Sequence, residues 1–126
     1  MIVTGGFMCD AMNTADGKFN VLGGVWDWCV VPVLGHDDHV VIINLVALIQ
    51  AEREDDSRAT VKVDLLSPGQ EVVLRATVEA ELPAGTVQGF VMTSLPLRFS
   101  EYGKHVFLIS GSSGEPYAMP LDVRPA

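Results

Sequence analysis

Basic residues are scarce in this chain: 8 Lys and Arg stand against 16 Asp and Glu, a formal net charge of −8, and no basic cluster occurs. The attraction to phosphate that supplies most nucleic-acid affinity then has the wrong sign, so neither nucleic acid nor an anionic membrane is an expected partner, while a basic protein is accommodated. Cysteine is nearly absent. Cys9 and Cys29 alone make neither a zinc site nor a disulfide framework, and read as two small buried hydrophobes. No apolar run reaches membrane length, since residues 40–49 are broken by Asn44 and span only about half of what a bilayer needs. The opening Met1-Ile2-Val3-Thr4-Gly5-Gly6 lacks the basic region and apolar core of a signal peptide, which points to the cytoplasm. Helical spacing behind a capping residue is also missing.

What the chain has instead is strand signal. Residues 13–28 organise it: an Asp16-Gly17 turn joins two apolar segments, Gly23-Gly24 breaks the second, and Trp26 and Trp28 follow at i and i+2, which a strand puts on one face. Residues 6–12 and 18–22 read as an antiparallel hairpin about that turn, with a bend at the glycine pair and extended chain over 25–33. Residues 39–50 are apolar on both faces, which fits a strand covered on both sides or lying at an interface. The charged run 51–58 reads as a hairpin tip. Strict alternation over 60–66 and 71–82 gives the clearest strands, and 90–99, 104–110 and 117–123 supply three more. The expectation is an all-β fold in one domain spanning 1–126: an antiparallel β-sandwich of about eight strands, immunoglobulin-like in broad architecture, with a jelly roll or barrel as the alternative.

The runs Cys9-Asp10-Ala11, Asp16-Gly17-Lys18-Phe19-Asn20-Val21-Leu22-Gly23-Gly24 and Trp26-Asp27, with Leu95-Pro96-Leu97, Tyr102-Gly103 and Pro120-Leu121-Asp122-Val123 near the other end, resemble an uncharacterised family of small bacterial and phage-borne β-sandwich proteins. The resemblance implies the fold and no activity. His105 stands where the family pattern has an aromatic residue.

Candidate sites are few. His36, Asp37, Asp38 and His39 put four potential metal ligands in four residues, but neighbours at a strand end splay apart, and a solvated turn is the favoured reading. Glu52, Glu54, Asp55 and Asp56 lack the spacing of a calcium loop. Asp10 suits a ligand contact or a base, or else accepts backbone or indole N–H bonds and holds the bend together with Gly17, Lys18, Gly23, Gly24 and Trp26. The two tryptophans suit either an aromatic platform or core packing. Ser112 and Ser113 sit in a Gly-flanked turn without a nucleophile motif.

No enzyme and no cofactor is expected. A hydrophobic fraction of 48% and a mean hydropathy of +0.31 are high for so short a chain, so apolar surface is expected to be covered by a neighbour, with Val41, Ile43, Leu45 and Ile49 as the interface. The expected role is a structural or protein-interaction subunit that self-associates into a homo-oligomer or joins a larger assembly, for instance a phage particle. The alternative is a ligand-binding module using the loops at one end, 36–39 and 16–18.

Overall fold

The computed structural model describes residues 1–35, 39–52 and 57–126. These form ten strands and no helix: β1 (Ile2–Cys9), β2 (Ala11–Ala15), β3 (Lys18–Leu22), β4 (Trp28–Val30), β5 (Val41–Gln50), β6 (Arg58–Leu66), β7 (Val72–Glu81), β8 (Gln88–Leu97), β9 (Gly103–Ser110) and β10 (Tyr117–Arg124). They pair into a three-stranded sheet, β1-β5-β8, a five-stranded sheet, β4-β10-β9-β6-β7, and the two-stranded hairpin β2-β3.

Alternation decides which side chains meet. On β6, Ala59, Val61, Val63 and Leu65 point inward; on β9, Phe107 and Ile109; on β10, Met119, Leu121 and Val123. They join Met8, Ile43, Leu45, Ala47 and Ile49 from the three-stranded sheet in one core. Each fully buried aliphatic side chain contributes roughly 1.5–3 kcal/mol relative to exposure, so this shared face dominates the stabilisation.

Several expectations are corrected. The segment expected as one strand over 6–12 is two, because β1 ends at Cys9, the chain bends at Asp10, and β2 starts at Ala11. The hairpin about Asp16-Gly17 is therefore β2-β3, while β1 pairs with β5. Asp16 and Gly17 take φ of 54° and 71°, the positive pair that a two-residue turn needs to match strand twist. The pairing is not wholly antiparallel: β4 runs parallel to β10, with Trp28 opposite Asp122 and Val30 opposite Arg124. Only three residues of the expected extended segment 25–33 form a strand. The run 51–58 is not a hairpin tip, since β5 and β6 belong to different sheets and the chain crosses between them; residues 53–56 lie outside the described residues.

The hairpin also explains the two apolar faces of β5. Ile43, Leu45 and Ile49, expected at an interface, are at most 2% exposed and lie in the shared core, with Val41 half-buried against it. On the opposite face, Val46 is 0% exposed. That face is covered by the chain's own hairpin, whose Phe19 packs on Phe7 (ring centroids 6.0 Å apart) and edge-on to Phe90 (4.9 Å, 71°). Phe7 pairs with Val46 and Phe90 with Leu48, so β2-β3 folds back over the outer face of the sheet, away from the Val41 end. The second apolar layer is thus satisfied within one chain around Val46 and Leu48, while Ile42, toward the other end of the strand, stays 50% exposed.

Candidate functional site

Asp10, Gly23, Gly24 and Trp26, expected to hold the bend, converge where β1 turns into the hairpin. The Asp10 backbone N–H donates to the carbonyl of Leu22 at 3.0 Å, and the Trp26 N–H to that of Met8 at 3.1 Å, which ties both ends of the hairpin to the end of β1. Between them stands the Asp10 carboxylate. It accepts the Trp26 indole Nε1–H at 2.7 Å, a charge-assisted bond at the short end of the range. Of the two indoles offered as donors by the sequence, Trp26 makes this bond and Trp28 does not.

Gly23 completes the bend. Its φ is +63°, and a Cβ built there would stand 1.9 Å from Asp10 Oδ2. Both the backbone conformation and the carboxylate behind it require a residue without a side chain. Gly24 lies beside Cys9, where an added Cβ would make ordinary contact at 3.5 Å. Gly17 and Lys18 sit at the far tip of the hairpin, Lys18 opposite Ala15, and do not touch this cluster.

A polar row continues across the sheet. The Asn44 side-chain amide donates to the Asp10 carbonyl at 2.8 Å, and Ser94 Oγ donates to Asn44 Oδ1 at 2.6 Å. Sequence reasoning noted Asn44 only as a break in an apolar run and missed Ser94. The signal for the first was present, since one amide among ten otherwise apolar residues needs a partner; nothing local marks Ser94, which is opposite Asn44 only because β5 and β8 pair.

The tryptophans do not share a face. Trp26 packs against the core, whereas Trp28 is 51% exposed with the Arg124 guanidinium 5.0 Å from its ring centroid. The strand begins only at Trp28, and Asp27, whose carbonyl accepts the Asp122 N–H at 3.0 Å, turns the chain between them, so the period of two does not reach back to Trp26.

Both cysteines are free and buried. Burial pushes both thiols above the ordinary value of 9.0, and the negative charge of Asp10 beside Cys9, and of Asp122 beside Cys29, adds to it. Such thiols are poor nucleophiles.

The remaining candidates are dispersed. His36, Asp37 and Asp38 lie outside the described residues; His39 precedes β5 and is half-buried. Among the described residues, no three His, Cys, Asp or Glu side chains converge as metal ligands. Ser113 donates to a Glu52 carboxylate oxygen at 2.7 Å, and Ser112 lies 3.3 Å from the Met1 carbonyl, so both serines fasten the start of the chain to the β9-β10 turn. The loops grouped as one binding end are separated: the Asp16–Lys18 tip lies toward the Gln50 end of β5 and His39 at the Val41 end. The arrangement around Asp10 is therefore a clasp. Its carboxylate holds an indole and closes a bend; Asn44 holds the backbone beneath it.

The model of a family of unknown function (DUF6941) matches residues 5–124. No curated protein and no solved structure matches the chain.

Proposed function

The chain belongs to that family, which assigns it no activity, and we propose that it is a non-enzymatic structural or protein-interaction subunit that joins copies of itself or a larger assembly such as a phage particle. On this reading its two larger sheets stack as an immunoglobulin-like β-sandwich, and it works in the cytoplasm or in a virion. One observation carries the proposal: of the large apolar side chains left uncovered among the described residues, four gather along a free sheet edge, while Leu22, Val40, Ile42, Val72, Val73 and Val87 lie elsewhere. β4 ends the five-stranded sheet, and on it and beside it Val25, Trp28, Val30 and Val33 are 73%, 51%, 44% and 41% exposed. An edge strand presents unpaired N–H and C=O groups, and an apolar flank beside it is the combination on which a further strand, or a second copy, docks. On this reading the joining surface is β4 rather than the inner face of β5, which lies in the core.

The test is solution mass by light scattering over a range of concentrations, for the natural chain and for Trp28→Glu. Trp28 is half exposed and Glu can pair with Arg124, so the variant keeps its fold. The expected result is a defined oligomer or a growing mass that the substitution reduces to monomer. A natural chain that stays monomeric throughout, or an oligomer indifferent to Trp28, overturns the proposal.

A further inference from the structure

The open edge of the five-stranded sheet presents few backbone groups, and they are sharply bounded. The Asp27 carbonyl accepts the Asp122 N–H at 3.0 Å, the Val31 N–H donates to the Arg124 carbonyl at 2.9 Å, and Cys29 stands opposite Val123 in the parallel ladder. Residues 27, 29 and 31 thus turn these groups toward β10. The period of two turns the N–H and C=O of Trp28 and Val30 to the other side, where no strand among the described residues pairs with β4. The row ends there in both directions, because the Trp26 N–H is held by the Met8 carbonyl and Pro32 has no N–H.

A second β4 matches this pattern. Laid antiparallel on its copy about a twofold axis at Cys29, it sets Trp28 opposite Val30 of the second chain and Val30 opposite Trp28, and each pair exchanges two hydrogen bonds. The adjacent registers set Val30 opposite Trp26 or Trp28 opposite Pro32 and lose a donor, so the free groups select one register.

The side chains repeat the symmetry. Val25, Trp28, Val30 and Val33, the uncovered apolar residues of this edge, lie four and one positions before Cys29 and one and four after it. A twofold interface needs a patch complementary to itself, with residue i meeting j and j meeting i, and a spacing that reads the same in both directions meets that need. An unrelated partner does not require it. Charge does not oppose the pairing either: beside β4 the carboxylates of Asp27 and Asp122 are balanced by Lys104 and Arg124, although the whole chain carries −8.

We propose that a second copy of this chain docks on β4, antiparallel and with Cys29 opposite Cys29, so that the two five-stranded sheets join into one across a closed dimer. The inference rests on the reading of β4 as the joining surface and adds the partner, the direction and the register.

Isotope-filtered NMR on an equal mixture of labelled and unlabelled natural chain tests it, at concentrations where light scattering gives the oligomer. Contacts between chains are expected from the Trp28 indole to the Val30 methyls and from Cys29 Hα to Cys29 Hα, with a mass that stops at twice that of one chain. Val30→Pro removes an outward N–H and none of the bonds to β10, which an edge strand tolerates. Two symmetry-related hydrogen bonds are then lost, and the dimer dissociation constant should rise about tenfold or more. A natural chain that stays monomeric overturns the joining-surface reading and this inference with it. An oligomer that Trp28→Glu disrupts overturns this inference alone if it lacks the Trp28 to Val30 contact, keeps growing in mass, or is indifferent to Val30→Pro. Should Val30→Pro fail to fold, the contacts and mass of the natural chain decide it.

Discussion

Asp10 and Gly23 are thirteen positions apart in sequence and in effect share one site: the carboxylate oxygen Oδ2 occupies the space that a side chain on residue 23 would need. The glycine is required twice, by its φ of +63° and by the acid behind it.

The two requirements separate in a double-mutant cycle. Gly23→Ala is expected to destabilise by about 2–4 kcal/mol, the left-handed backbone accounting for about 1–2 kcal/mol and the displaced carboxylate, with its indole bond, for the rest. In an Asp10→Ala background only the backbone part should remain. Urea unfolding of the two single variants and the double variant measures the coupling, and strictly additive losses would refute the shared site.

Phe19 holds the hairpin over the outer face of the three-stranded sheet through Phe7 and Phe90. Phe19→Ala is expected to cost about 2–4 kcal/mol, slightly less than for a fully buried ring because Phe19 is half-buried. Cys9, 0% exposed on the same outer face, should become accessible. Its rate of labelling by a thiol reagent under native conditions should rise well above that of the natural chain, with Cys29, under the other sheet, unchanged. Equal acceleration at both thiols would indicate global loosening instead.

The thiols set an alkaline limit. Both have folded-state values raised above 9.0, burial being the larger cause and Asp10 or Asp122 the smaller. A raised folded value means that the unfolded chain releases its protons first. The stabilisation is whole below the ordinary thiol range and is lost as pH rises from about 9 upward through the folded values. Melting temperatures from pH 7.5 to 10.5 should therefore fall, and Cys9→Ala with Cys29→Ala should flatten the decline relative to the natural chain. A decline of equal slope in the double variant would assign it to other groups.

Local chemistry was legible where one short stretch carries the whole cause. Asp16-Gly17 announced a tight hairpin turn because few other pairs accept two positive φ values, and the alternation in 71–82 announced β7 with one wet face. The all-β class followed from such stretches taken together. What failed to read through was partnership. The strand boundary at Asp10 depends on a hydrogen bond that its N–H donates to the Leu22 carbonyl and on an indole N–H from Trp26, neither of which is a neighbour in sequence.

By itself, then, the sequence determined the alternating strands β6 and β7, the tight turn at Asp16-Gly17, the need for glycine at the bend and the acidic surface, because each rests on backbone sterics, side-chain period or summed charge. Only the tertiary structure decided that β5 buries one face in the core and the Val46 part of the other under its own hairpin, that β4 lies parallel to β10 at an open edge, that Asn44 meets Ser94, and that His105 is buried. Those facts depend on which strands become neighbours. Side-chain period states that a face must be covered and is silent on what covers it: for β5 that was a hairpin held by Phe19, thirty residues upstream of Ile49.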